Sequence, residues 1–216
     1  MKLLPLLLLS VLAAACQSQP DSAGQVATPA SSVTTLPGPD TAAPARSAAR
    51  PAKLALTANA LQLVNTETGA TSDIALGRPF EQLVRTVTDV LAQAPTNVGV
   101  NGECSVGPLK MATWANGLTL AFQEAGRRNG NAGREWQFAG WSLNPGQAAG
   151  RAPTTMAGVG LGSTRAEVES AYVIKVVQTS LGREFSTTSG LYGLLDGAGP
   201  QARVAAMWSG TSCVFR

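Results

Sequence analysis

The sequence predicts an α+β fold of two tandem units, each a helix followed by a β-hairpin on an antiparallel sheet, with an additional β-hairpin ahead of the first. Three observations point to it. The stretches LGRPFEQL from Leu76 and LGSTRAEV from Leu161 repeat one helix start at a spacing of 85 residues. Downstream, GLTLAF (117–122) corresponds to GLYGLL (190–195), and each is followed by a turn-rich polar stretch. A return strand closes each unit, EWQFAGWSL from Glu135 and ARVAAMWSG from Ala202, with the alternation of apolar residues that marks a half-buried strand.

The elements follow in chain order. Residues 1–15 read as a secretory signal peptide: Lys2, an apolar run over 3–12, then three alanines. That run is too short to span a bilayer of roughly 30 Å as a helix. Cys16 directly after the alanines resembles the lipobox of bacterial lipoproteins, with Ala13 standing where Leu is usual. The resemblance implies that the Cys16 thiol carries a diacylglycerol, with further acyl chains such as palmitate. Gln17 rather than Asp beside it implies an outer-membrane destination, facing the periplasm, in a cell with two membranes. Each buried lipid methylene adds about 0.8 kcal/mol, so several chains would hold the protein at a membrane. The alternative is ordinary signal cleavage that leaves Cys16 a plain thiol.

Residues 16–52 then form a disordered Ala/Pro/Ser/Thr-rich tether. They contain hardly any large apolar side chain, so burial cannot offset the entropy of ordering them. Flexible-chain scaling gives them a reach on the order of 30 Å. Residues 53–150 are expected to hold the leading hairpin and the first repeat unit, and 151–216 the second. The leading hairpin comes from LALTANALQLVN and TSDIAL on either side of the turn Thr66-Glu67-Thr68-Gly69.

In the first unit Pro79 suits the opening turn of a helix, where its missing N–H would have no partner. Leu83, Val84, Val87, Val90 and Leu91 share one helical face, and Ala94-Pro95 ends it. In the second unit Thr164 and Glu167 have the spacing of a capping box, with Val168, Ala171 and Tyr172 on the apolar face. Gly158, Gly160 and Gly162 precede this start, but no Lys follows them. The first copy keeps only Gly77, so helix capping accounts for the motif better than a phosphate loop does. Trp141-Ser142 matches Trp208-Ser209 in the two return strands, which predicts core positions for both tryptophans. Trp114 lies outside the matched strands.

The chain has three cysteines, and an export signal places them in an oxidising compartment. With Cys16 lipidated, Cys104 and Cys213 remain as a pair. They are expected either to form a disulfide or to be two buried thiols.

Composition excludes much chemistry. There is no histidine, which removes Ser-His and Cys-His catalysis and most zinc sites. The formal charge of +3 falls to +2 once Lys2 is cleaved off, and no basic cluster exceeds Arg127-Arg128, so no nucleic-acid partner is expected. No cofactor or metal site is expected either. Carboxylates such as Glu81, Glu167 and Asp196 suit helix starts and turns, which leaves a carboxylate-pair hydrolase with little support.

The helix start at Gly162, Thr164, Glu167 and Val168, with Gly77, Pro79, Gln82 and Leu83 as its degenerate partner, resembles the SmpA/OmlA (BamE) lipoproteins and the β-lactamase-inhibitor-protein class. The ending Trp208-x-Gly210-x-x-Cys213-x-Phe215-Arg216 is similar to that of a family of uncharacterised bacterial secreted lipoproteins. The uncharacterised family carries no function to transfer; the architecture, a repeated unit on a tether behind a lipoprotein signal, leads to the expectation of a non-enzymatic, membrane-anchored envelope lipoprotein that acts as a protein-binding or structural module. Two alternatives stand beside it: a proteinaceous inhibitor of a secreted hydrolase such as a β-lactamase, and a glycan- or small-molecule-binding protein or carboxylate-pair hydrolase. The inhibitor alternative predicts large aromatics exposed on one sheet face.

Overall fold

Gly77 and Gly162, the glycines of the repeated Leu-Gly pair, both adopt left-handed backbone angles (φ 88° and 78°), a region that a side chain would disfavour. Each then hydrogen-bonds a return strand, Gly77 N–H to the Phe138 carbonyl and Gly162 N–H to that of Val204, both at 2.8 Å. The repeat is therefore a backbone device that docks each helix start onto a return strand. The computed structural model describes residues 51–126, 135–146 and 151–213. The signal peptide, Cys16, the tether up to residue 50, Arg127-Arg128 and Phe215-Arg216 lie outside the described residues.

Those residues form twelve strands in two sheets and only two helices. This corrects the expected α+β fold of helix-plus-hairpin units: the protein is mostly β. The strands β1 (Ala52–Thr57), β2 (Ala60–Asn65) and β3 (Thr71–Ala75) make an antiparallel meander. The expected leading hairpin is thus three strands, because LALTANALQLVN itself folds back at Ala58-Asn59, with Asn59 in the left-handed region. Helix α1 (Phe80–Leu91) precedes β4 (Asn97–Asn101), β5 (Leu109–Thr113), β6 (Leu118–Glu124) and β7 (Trp136–Leu143). The short β8 (Thr154–Thr155) pairs in parallel with β1 and completes a four-stranded sheet, β3-β2-β1-β8. Helix α2 (Arg165–Ala171) precedes β9 (Ile174–Thr179), β10 (Gly182–Thr187), β11 (Leu191–Leu195) and β12 (Val204–Gly210).

Each helix thus leads into four strands, where two were expected. The two meanders join through their last strands into one eight-stranded sheet, β4-β5-β6-β7-β12-β11-β10-β9, antiparallel throughout. The order reads symmetrically about the β7–β12 seam. The symmetry extends to irregularities: the β6–β7 ladder steps from Ala121↔Gly140 to Phe122↔Phe138, and the β11–β12 ladder from Leu194↔Ala206 to Leu195↔Val204. The extra residues of these β-bulges are Ala139 and Ala205, at equivalent places beside the glycine-led helix starts.

The bulges also correct the alignment of the return strands. Phe138 corresponds to Val204, so Trp141 corresponds to Met207 and not to Trp208. A one-residue shift turns a side chain to the other face. Trp141 and Met207 are fully buried on the inner face. Trp208 is buried too, but on the outer face, where it stacks on Tyr192 with ring centroids 6.2 Å apart.

The core lies between the inner face of the large sheet and a layer made by the small sheet and the helices. It contains Leu54, Leu56 and Leu61 from the small sheet, Leu83 and Val87 from α1, Val168 from α2, and Leu120, Phe122, Trp141, Phe185 and Met207 from the large sheet. Hydrogen bonds tie the layers: the Trp141 indole N–H donates to the Thr57 carbonyl at 2.9 Å, the Asn59 backbone N–H to Ser209 Oγ at 3.0 Å, and Asn59 Nδ2 to the Ser189 carbonyl at 3.2 Å. In α1, Pro79 occupies the cap position just before the first helical residue. Phe80 meets Phe122 edge to face at 4.8 Å, and Lys110 Nζ sits 3.5 Å from the centroid of the Phe80 ring. Of the apolar face expected for α2, Val168 is buried and Tyr172 packs against the core, but Ala171 is exposed because the helix is only seven residues long.

At the seam Gly140 faces Gly210. A Cβ on Gly140 would overlap the backbone of Thr211 and lie 2.6 Å from the Ser209 carbonyl oxygen. Gly140→Ala is therefore expected to cost about 1–3 kcal/mol, the range for overpacking, and thermal unfolding measures it. An unchanged midpoint would mean that the two halves do not meet this closely.

Candidate functional site

Cys104 and Cys213, the two cysteines paired from the sequence, form a disulfide with their Cα atoms 5.1 Å apart. The bridge ties the loop after β4 to the segment after β12, and so fastens the start of one meander to the end of the other. It forms a small cluster with Leu109, Ala121 and Met111 on the outer face, separate from the main core. Asn101 Nδ2 lies 3.6 Å from the Cys213 sulfur, within reach of a weak hydrogen bond.

The outer face carries one row across all eight strands, set by the pairing register: Asn97, Thr113, Thr119, Ser142, Trp208, Tyr192, Ser186 and Lys175. The Thr113 and Thr119 hydroxyls are 2.9 Å apart. Most of this row is half-buried and neutral, with hydroxyl groups flanking the stacked Tyr192–Trp208 pair. At one end of it a cleft of about 410 Å³ opens between Thr96, Asn97, Thr113, Thr119 and Asn144. Its lining residues offer hydroxyls, amides and backbone groups and no ionisable side chain, which fits hydrogen bonding to a neutral surface and not acid–base chemistry.

A second cleft, of about 620 Å³, lies at the β4 end of the sheet between Val100, Val106, Pro108, Gln123, Glu124 and Trp136. Val98, Val100 and Val106 are 46, 58 and 51 % exposed there. Strand β4 is an edge of the sheet, as is β9 at the far end.

Several of the carboxylates occupy structural places. Thr164 and Glu167 form the expected capping box: Glu167 N–H donates to the Thr164 hydroxyl at 3.2 Å, and Thr164 N–H to the Glu167 carboxylate at 2.6 Å. The backbone and side-chain hydrogen bonds of Thr164, with a smaller attraction to Arg203, hold the Glu167 carboxyl below its ordinary value. A depressed carboxylate stabilises the fold above its unfolded-state pKa, and that contribution is lost as pH falls through the lower folded value. Thr164→Ala is accordingly expected to destabilise by about 1 kcal/mol at neutral pH. The difference from wild type should shrink on acidification below the usual carboxylate range, read by denaturant unfolding across pH. A pH-independent difference would contradict the reciprocal cap.

Glu81 stands in the first turn of α1, Asp196 accepts from the Arg203 N–H at 2.6 Å, and Glu169 pairs with Arg165 at 2.8 Å. Glu184 on β10 is buried and accepts from the Thr179 hydroxyl. Sequence reasoning did not single it out, since Gly-Arg-Glu-Phe carries no burial signal at the acid. Among the described residues no three of Cys, Asp and Glu come together as metal ligands. No described helix is long and apolar enough to cross a membrane.

Trp114, outside the matched strands, is buried, and its indole N–H donates to the Gln93 carbonyl at 2.9 Å. Trp136 is half-buried at the larger cleft.

No protein-family model matches the chain, and neither a curated protein nor a solved structure is significantly similar to it. The likeness to the SmpA/OmlA and β-lactamase-inhibitor-protein classes accordingly stands on the helix-start residues alone.

Proposed function

We propose that this protein is a cell-envelope lipoprotein, held to a membrane through Cys16 and its tether, whose folded region is a protein-binding or structural module and not an enzyme. The single observation that carries the binding role is the neutral hydroxyl-and-aromatic row on the outer face of the large sheet. Such a row offers many hydrogen bonds around the Tyr192 ring at little desolvation cost, in keeping with the polar, aromatic-enriched character of protein interfaces. The disulfide supports export, since such bonds persist in oxidising compartments. A neutral cleft and carboxylates engaged in caps and turns agree with a role in binding.

Most of the tryptophans give the inhibitor alternative no support, Trp136 being the one that is half-buried, at the larger cleft. Trp114, Trp141 and Trp208, three of the large aromatics it would present, are 1, 0 and 7 % exposed.

Two measurements on the full chain test the proposal. Wild type is expected to fractionate with membranes and Cys16→Ser to be released from them. Photo-cross-linkers placed at Thr119 and Ser142 are expected to capture one envelope protein in constant proportion. Equal fractionation of wild type and Cys16→Ser, whether with membranes or away from them, would overturn the anchor, and repeated recovery of the lipoprotein alone would overturn the binding face.

A further inference from the structure

The edges of the two sheets are not alike. Strand β3 carries Asp73, β9 carries Lys175, and β8 is two residues long. Charge and shortness are the usual means of keeping an open edge from pairing with another chain. Strand β4, Asn97–Asn101, has neither: it reads Asn-Val-Gly-Val-Asn, with four residues exposed and the fifth half-buried.

That pentapeptide is a palindrome. Placed antiparallel to a second copy about a two-fold axis through Gly99, it sets Gly99 against Gly99, each Val98 against the other copy's Val100, and each Asn97 against the other copy's Asn101. Strand alternation gathers the four valines on one face and the four asparagines on the other. The match holds whether the central pair is hydrogen-bonded or not, because a two-fold axis can pass through either kind of pair. A slip of one residue would set Val against Asn or Gly, and a slip of two would keep a single Val–Val pair, Val98 with Val98 or Val100 with Val100, so this register matches the most apolar surface.

We propose that the protein forms a two-fold dimer by pairing β4 with β4 of a second copy, which continues the eight-stranded sheet across the two chains. The interface is isologous, as closed dimers require. It is also small. Five residues at about 3.4 Å each give a seam of roughly 17 Å, so its buried area belongs with weak, transient contacts. Confining both copies to one membrane would raise their effective concentration and favour the pair. The pairing itself rests on the strand and not on the anchor.

The test uses cysteines placed on edge strands of the full chain, in detergent and in reconstituted vesicles. Opposed residues of an antiparallel pair have Cα atoms about 4.5–5.5 Å apart, within reach of a disulfide or a short thiol-reactive linker. A Cβ at Gly99 is free to be added, since its nearest neighbour is Asn97 Oδ1 at 3.9 Å. Gly99→Cys is expected to cross-link to itself well above the level of wild type, which controls for Cys16, and of Lys175→Cys on β9. Adding Val100→Lys sets charges into the seam while leaving an already exposed position exposed, and should cut that cross-link by about tenfold or more. Cross-linking at residue 99 no greater than at residue 175, or undiminished by Val100→Lys, would overturn the dimer. Failure of membrane fractionation with Cys16 would leave this result in detergent untouched, so the two proposals fail separately.

Discussion

Trp141→Ala is expected to cost about 3–5 kcal/mol, the range for emptying a large aromatic site in a packed core. The indole is wholly buried between the two sheets, on the inner face beside Leu120 and Ser209. Its loss also leaves the Thr57 carbonyl without its 2.9 Å donor, which adds the cost of an unpaired backbone group. Against a typical total stability of about 5–15 kcal/mol, this change alone removes a large share. Trp141→Phe empties less of the site than Trp141→Ala, because it keeps an aromatic ring there while deleting three ring atoms, the N–H among them. It is expected to lose about 1–2 kcal/mol. Denaturant unfolding of the three proteins, with the disulfide intact, gives the comparison. Trp208→Ala serves as the contrasting control: that ring lies on the outer face against Tyr192, so its removal opens no space between the sheets and should cost less than Trp141→Ala. The opposite ranking would mean that Trp208, and not Trp141, faces the core.

Breaking the Cys104–Cys213 bridge is expected to destabilise by about 4–5 kcal/mol, the chain-entropy value for a closure of this length. The two cysteines are 109 positions apart, so the bridge removes many conformations from the unfolded chain. In the folded state it also covers Leu109 and Ala121 on the outer face. Cys104→Ser with Cys213→Ser should therefore lower the urea midpoint substantially without dismantling the main core, whose residues lie on the opposite face of the sheet. The measurement is the unfolding free energy of the double variant against oxidised wild type. A difference under about 1 kcal/mol would show that the unfolded chain gains little freedom when the bridge is absent.

Parts of this structure were legible in the sequence for identifiable reasons. The Leu-Gly pairs mark left-handed positions that favour glycine, and the capping box joins two side chains through a fixed spacing, so both survive as residue identities. Strands β6 and β11 and the return strands also stand out, because one face is buried and the other is not. The remaining strands carry weaker signals. β4 is exposed along nearly all its length, and its alternation rests on only two valines, Val98 and Val100, around a glycine that strands disfavour. β9 and β10 alternate imperfectly around the turn between them, and with β4 and β5 they make up the first half of each meander, which was hidden and left hairpins in place of four strands. The bulges at Ala139 and Ala205 have no residue signature at all. They move the true counterpart of Trp141 by one position, and the eye-catching Trp-Ser match placed Trp208 on the wrong face.

The same limits apply to the candidate site. The cysteine pair could be counted, but the row from Asn97 to Lys175 draws one residue from each of eight strands and exists only once their register is fixed. The palindrome of β4 was present in the letters, but it has meaning only for a strand known to be at an edge.

The joining of two meanders through β7 and β12 underlies the outer face, the place of the disulfide and the position of β4 as an edge. Cross-strand nuclear Overhauser contacts between the backbones of Ser142 and Trp208, and of Gly140 and Gly210, test that joining most directly. Strong contacts at both pairs are predicted. Their absence, with β7 and β12 each in contact only with the strands of its own half, would contradict the single eight-stranded sheet.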